Sequence, residues 1–360
     1  MQRHCSNIRH LKVCSEPGKY AGWPANSGIW IWDNEILCGF SLAEHQETER
    51  GHTYDPGTAR QKFARSMDGG ETWSIEDAFE HGITAEAKDH ALGENAVEPF
   101  ECPGNVDFTH PDFAMTFRRM NDSDGTSHFY ITNDRGRYWQ GPYAFPNSGN
   151  PGILARSDYM VEGPHRLLAM LTASKSNNRE GRVGCFRTRD GGRNWNFVSW
   201  IGPEPEGYAI MPATVKLSDS QLICIIRRRE GDHCRLDAWI SNDNAASWRH
   251  IGKPVEDTGH GGSPPAMVML PEGRLCMAYA VRGKSPEYPS RICVRFSDDG
   301  GETWHEENVV RGDDGANYDV GYPRMVHRPD GRLVLLYYYN HAFAEKPSFR
   351  YIAATLFDPA

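Results

Sequence analysis

The sequence predicts an all-β fold, a six-bladed β-propeller of four-stranded antiparallel blades forming one domain over residues 1–360. Three observations predict it. The pattern Ser/Thr-x-Asp-x-Gly-x-x-Trp stands at Ser66-Asp68-Gly70-Trp73, Thr132-Asp134-Gly136-Trp139, Thr188-Asp190-Gly192-Trp195 and Ser297-Asp299-Gly301-Trp304. A fifth copy, Ser241-Asp243-Ala245-Trp248, has alanine for the glycine. Between the copies, Pro212, Pro265 and Pro323 each precede a leucine (Leu222, Leu275, Leu333) by ten positions, with turn-forming residues in the interval. Finally, 36 glycines and 23 prolines are scattered along the chain, as many short strands joined by tight turns require.

Each element has a local cause. In the repeated turn, the Asp carboxylate accepts bonds from backbone N–H groups and glycine supplies the positive φ that follows. The Trp then covers the turn with its large apolar area. Ala245 predicts a strained fifth turn. The segments Ser218-Asp-Ser220, Pro271-Glu-Gly273 and Pro329-Asp-Gly331 read as hairpin loops. One unit therefore runs strand, turn, strand, longer loop, strand, Asp-turn, strand, which is a propeller blade. Five units carry the turn. A sixth begins near Tyr322 and ends in a strand from Arg350 to Leu356. The segment from Ile8 to Val13 is expected to pair into that last blade and cover its edge. The second blade is the least regular.

The net charge of -9 argues against nucleic acid, which demands a basic stripe. No apolar run reaches about 18 residues, so no membrane insertion is expected. The stretch Met1–His10 lacks the apolar core of a signal peptide, which implies a cytoplasmic protein or an exported one whose leader is absent from this chain. The nine cysteines read as reduced structural thiols without metal-ligand spacing. No metal or cofactor is indicated, and Asp122-Ser-Asp-Gly125 reads as a plain turn.

If the Asp-turns share one face, the opposite face gathers His45, His52 and Asp55 from the first blade, with His110 and Arg119 from the second. Lys175, Glu180 and Arg182 follow from the third, and Tyr208 with Arg227–Arg229 from the fourth. His260, Arg282 and Arg291 come from the fifth, and Asp319, Tyr322, Arg324 and Asn340 from the sixth. So many arginines on one rim of an acidic chain suit an anionic sugar, because guanidinium matches a carboxylate in two bonds. Trp23 reads as an exposed aromatic suited to stacking on a sugar.

The repeated turns resemble the Asp-boxes, or BNR repeats, of the sialidase superfamily, and the resemblance covers essentially the whole chain. It implies three arginines on a sialic carboxylate, a tyrosine nucleophile assisted by a glutamate, and an aspartic acid as proton donor. Arg227 looks like the second arginine, Arg291 like the third, and Tyr322 like the nucleophile. Asp55 or His52 occupies the loop that would supply the acid. Two positions differ from the pattern. Gly22-Trp23-Pro24-Ala-Asn26 replaces the run that carries the first arginine, and Met211 stands where the glutamate belongs. Glu180 or Asp319 is then the available base.

These residues predict an exo-acting glycoside hydrolase for an acidic oligosaccharide or glycoconjugate. Tyr322, Asp55, His52 and His110 are its catalytic candidates. Arg227, Arg291, Arg324, Lys175, Glu180, Tyr208 and His260 are its binding candidates. A uronate lyase using His52, His110, His260 or Tyr208 as base is the alternative. A non-catalytic glycan-binding propeller is the third.

Overall fold

Short runs of Ile, Val, Leu, Phe and Tyr fold as strands throughout the computed structural model, which describes residues 4–48, 52–88, 90–283, 285, 288–315, 317–340 and 349–359. Residues 1–3 of the amino-terminal stretch lie outside the described residues. The chain opens with β1 (Ser6–Cys14), β2 (Lys19–Gly22), a single helical turn α1 (Pro24–Ser27), β3 (Ile29–Trp32), β4 (Glu35–Glu44), β5 (Arg60–Ser66) and β6 (Ser74–Asp77). A three-stranded sheet follows, of β7 (Ala114–Arg119), β8 (Ser127–Thr132) and β9 (Gln140–Phe145). The next sheet holds β10 (Tyr159–Gly163), β11 (Arg166–Ser174), β12 (Glu180–Thr188) and β13 (Asn196–Trp200). After it come β14 (Tyr208–Lys216), β15 (Leu222–Glu230), β16 (His233–Ser241) and β17 (Arg249–Val255). A further sheet contains β18 (Ala266–Met269), β19 (Leu275–Val281), β20 (Ser290–Ser297) and β21 (Asn308–Gly315). The last strands are β22 (Gly321–His327), β23 (Leu333–Asn340) and β24 (Arg350–Asp358).

The hydrogen bonding corrects the expectation of six separate four-stranded blades. Among the described residues, four units stand as sheets of their own, three with four strands and one with three. The other nine strands form one continuous sheet along the path β22-β23-β24-β2-β4-β5-β6, with β1 on β24 and β3 on β4. The cause is the free edge of β24. Residues 352–358 of that edge pair antiparallel with β1, as the sequence led us to expect for the amino-terminal segment. The chain then turns, and Tyr20 of β2 pairs parallel with Arg350. The opening and closing units are thereby sewn together, which leaves no open edge at β24. The sheet of β7–β9 stays three-stranded because the preceding stretch carries Pro99, Pro103 and Pro111, which cannot donate to a ladder.

The chain packs as two compact units. One comprises Met1–Asp77, Asp232–Leu236 and Pro254–Ala360, the other Ala78–Gly231 and Asp237–Lys253. Alternate residues of each strand build the cores. In the first unit, Tyr337, Tyr339 and Tyr351 pack with Val294 and Phe296, while Tyr338 points the other way, among Tyr20, Trp23 and Phe40. In the second unit, Phe117, Phe129, Phe145, Phe186 and Trp195 form an aromatic core between the sheets of β7–β9 and β10–β13.

All five Asp-turns join the last two strands of a unit. In the first, Asp68 Oδ1 accepts from the backbone N–H of Glu71 at 3.0 Å and of Thr72 at 2.9 Å, and Ser66 Oγ accepts from Gly70 N at 2.7 Å. The fifth copy makes the same bonds, Ala245 N to Ser241 Oγ at 2.9 Å and Ser247 N to Asp243 Oδ1 at 2.8 Å. It does so with Ala245 at φ +68°, where an L-residue is strained.

Candidate functional site

In the first unit the polar chemistry converges on Asp319, which is 1% exposed at the end of the loop leading into β22. The sequence brings four donors to it from four separate segments. Tyr20 of β2 donates to Oδ2 at 3.0 Å, Arg350 Nε of β24 to Oδ2 at 3.1 Å, and Tyr338 of β23 to Oδ1 at 2.7 Å. His52 Nδ1, from the loop after β4, lies 2.7 Å from Oδ1 and 3.1 Å from the Tyr20 hydroxyl. Burial alone would raise the Asp319 carboxyl. His52, Arg350 and Arg282 outweigh it and hold the group well below the usual carboxylate range. Burial pushes the Tyr20 and Tyr338 phenols well above theirs, so both stay protonated as donors.

An ionised carboxylate only accepts hydrogen bonds. His52 therefore presents its proton to Asp319 from Nδ1, which leaves Nε2 as the nitrogen available for proton transfer. Trp23 fixes the ring from the side, edge-on at 4.9 Å between centroids. Arg282, just past β19, donates to Val320 O at 2.8 Å and to the Tyr338 hydroxyl at 2.6 Å, and its guanidinium carbon lies 5.3 Å from the centre of the Tyr322 ring. Tyr322 itself sits at φ +52° and Trp23 at φ +59°, each directly before a proline. Two bulky residues held in the left-handed region beside one buried network are strain of the kind found at working sites.

In the second unit the corresponding polar group is Glu180, at the start of β12. It is paired with Arg156 Nη1, and Arg119 at the end of β7 and Arg227 in β15 also act on it. Burial opposes ionisation here too, but these three arginines hold Glu180 below its ordinary value. Arg119 also bonds Asp122 at 2.9 Å. Arg227 Nη1 lies 3.7 Å from Met211 Sδ, and its guanidinium carbon lies 5.2 Å from the Tyr208 ring. Met211, at φ +55° before Pro212, holds the same backbone station in β14 that Tyr322 holds in β22; both strands slip register there.

Within each unit the structure thus brings together His52, Asp319, Arg282 and Tyr322, and separately Glu180, Arg227, Tyr208 and Arg119. Other expected residues are engaged elsewhere. Asp55 caps the short 3₁₀ turn 56–58 through Gly57 N at 2.9 Å. His110 lies at the opposite end of its sheet, because its neighbour Asp112 holds Arg135 of the second Asp-turn at 2.6 Å. Arg291 is taken up by Glu307 at 3.0 Å. Arg324 holds α1 through Ala25 O at 2.6 Å. Lys175 binds the carbonyls of Pro205, Glu206 and Gly207. His260 stacks beside Tyr318 at 4.3 Å between centroids. Trp23, expected to be exposed, is buried. Sequence reasoning missed Tyr20, Tyr338, Arg350 and Arg156. Among the described residues no cluster of His, Cys, Asp or Glu has a metal-binding arrangement.

The sheets, their Asp-turns and these two polar clusters define a sialidase-like β-propeller protein. Residues 113–335 match the BNR repeat-like domain, and the chain belongs to that family. A comparison with curated proteins returned no match. Among solved structures, the chain is similar to a protein of unknown function from Dyadobacter fermentans (18% identity, 98% of this chain and 99% of that one, TM-score 0.72). It is also similar to an α-L-arabinanase of Penicillium chrysogenum (15% identity, 97% of each chain, TM-score 0.62). A mutant of Trypanosoma rangeli sialidase displaying trans-sialidase activity matches at 12% identity and TM-score 0.59. There the match covers 99% of this chain and 60% of the sialidase's length. At these identities the likeness shows the fold.

Proposed function

We propose that this protein is a glycoside hydrolase that removes a terminal acidic sugar, with His52 as its proton-transferring residue and Tyr322 as its nucleophile. The observation that carries the reading is the His52–Asp319 contact, a solvent-reachable imidazole oriented by a buried carboxylate. Tyr322 attacks the anomeric carbon as the phenolate, with Arg282 beside it, while doubly protonated His52 gives its Nε2 proton to the departing glycosidic oxygen. Neutral His52 then takes a proton from water, whose oxygen displaces the tyrosine and releases the sugar. The similarity to sialidase and arabinanase structures supports glycoside cleavage as the reaction class. The acidic character of the sugar is supported within the first unit by Arg282, whose guanidinium carbon lies 5.3 Å from the centre of the Tyr322 ring.

A lyase reading is favoured by one observation. The sequence has Met211 in place of the glutamate that the family resemblance implies, and β-elimination with His52 as base needs no such residue. The two are separated by following cleavage of an acidic oligosaccharide panel for new reducing ends and for ultraviolet-absorbing unsaturated product together. The hydrolase reading expects reducing ends alone, and Tyr322→Phe turnover lower by about 10³-fold or more. Unsaturated product, or near-normal turnover of Tyr322→Phe, contradicts it.

A further inference from the structure

At the Asp-turn end of the second unit, a pocket of about 340 Å³ opens between the sheets of β10–β13 and β14–β17. Its wall carries Arg166, Arg187, Arg189 and Lys216 against two acids, Glu162 and Asp219. Both acids are already engaged. Glu162 holds Arg187 through two bonds, at 3.0 and 2.9 Å, and Asp219 holds Lys216 at 3.0 Å. Arg187 also donates to Asn244 O at 2.8 Å, so its guanidinium is part of the wall. Two cations remain. Arg166 spends one donor on the carbonyl of Glu162 at 3.0 Å, and Arg189 makes no hydrogen bond or ion pair among the described residues. A chain with a net charge of -9 therefore concentrates uncompensated positive charge in one concave place.

This pocket is not part of the Glu180 cluster. Leu167 pairs with Thr188 at one end of β11 and Ser174 with Glu180 at the other, so roughly 23 Å of strand separates them at about 3.3 Å per residue.

We propose that this pocket is a second binding site, which takes a carboxylate group of an acidic glycan chain through Arg166 and Arg189. Its lining includes Met160 and the exposed Val161, which offer apolar surface to a sugar ring next to the charged group. A carboxylate there neutralises the two leftover guanidiniums through charge-assisted bonds without breaking either existing ion pair. Such a site tethers the protein to a polymeric substrate and does not depend on the reaction proposed above.

The test is calorimetric titration of the full chain with polygalacturonate oligosaccharide, its carboxyl-reduced counterpart and sodium sulfate, at two salt concentrations. The wild type is expected to bind the carboxylated chain and not the reduced one. Arg166→Gln with Arg189→Gln should weaken binding by about tenfold or more and reduce its salt dependence. Turnover of a small glycoside should stay at the wild-type value. Arg189→Gln alone, which removes no bond from the fold, should give an intermediate loss. Undiminished binding by both variants, equal binding of the carboxyl-reduced chain, or binding of sulfate without the oligosaccharide each overturns the proposal.

Discussion

His52 Nδ1 lies 2.7 Å from Asp319 Oδ1, with the imidazole side chain 34% exposed and the carboxylate 1% exposed. A titratable ring facing solvent is thus oriented by a charge that solvent does not reach. Asp319→Asn keeps the shape but puts an amide donor among four donors. Turnover should fall by about 10³-fold or more, as when the orienting carboxylate of a His dyad is neutralised. Stability should drop by about 3 kcal/mol because Arg350 loses its buried counter-charge. Steady-state kinetics and thermal unfolding read the two effects. Unchanged turnover in the folded variant contradicts the orienting role.

His128 sets an acid limit on the fold. It is fully buried across the ladder from Arg118, both ring nitrogens lack a hydrogen-bond partner among the described residues, and burial with Arg118 pushes its pKa down to about 3. The folded protein keeps this ring neutral, whereas the unfolded chain protonates it below about 6.5. Stability is therefore lost as pH falls from about 6.5 toward 3, by about 1.4 kcal/mol per unit. Asp319 and Glu180, both held below their ordinary values, contribute stability that is present above about 4 to 4.5 and lost as pH falls further. Urea unfolding at stepped pH separates the groups. His128→Leu should flatten the profile between about 6.5 and 4.5 and leave the steeper loss below it. An unchanged slope in the upper window excludes His128 as its source.

Ala245 tests the repeated turn itself. Ala245→Gly relieves a left-handed alanine in a turn whose hydrogen bonds are all in place. Melting should show a gain of about 1 kcal/mol. The same change at a residue with negative φ would destabilise, so a loss at position 245 contradicts the strain.

What the sequence made legible follows the range of the interactions. The Asp-turns are closed within eight residues by Ser or Thr, Asp and Gly, with Ala245 for the glycine in the fifth, and all five were readable one at a time. The nine-stranded sheet was not, because it depends on Tyr20 meeting Arg350 across nearly the whole chain. The same distance hid Tyr20 and Tyr338 as partners of Asp319. Arg282, which lies beside Tyr322, was read only as one of the rim residues while Arg291 was put forward, although a local signal for Arg282 existed. An apolar run ending in arginine recurs at Arg227 and Arg282, each at or near the end of the second strand of its sheet. His110 was assigned to the wrong end because the proline-broken stretch before β7 gives no periodicity from which to count register.

The central claim is that His52 protonates the departing oxygen. It is tested most directly by comparing two glycosides of the same acidic sugar, one with an activated aryl leaving group and one with an alkyl or sugar leaving group, in wild type and His52→Gln. An activated group departs without a proton, so the variant should stay within about tenfold of wild type on it and lose about 10²-fold or more in kcat/KM on the other. Equal losses on both substrates would contradict the account.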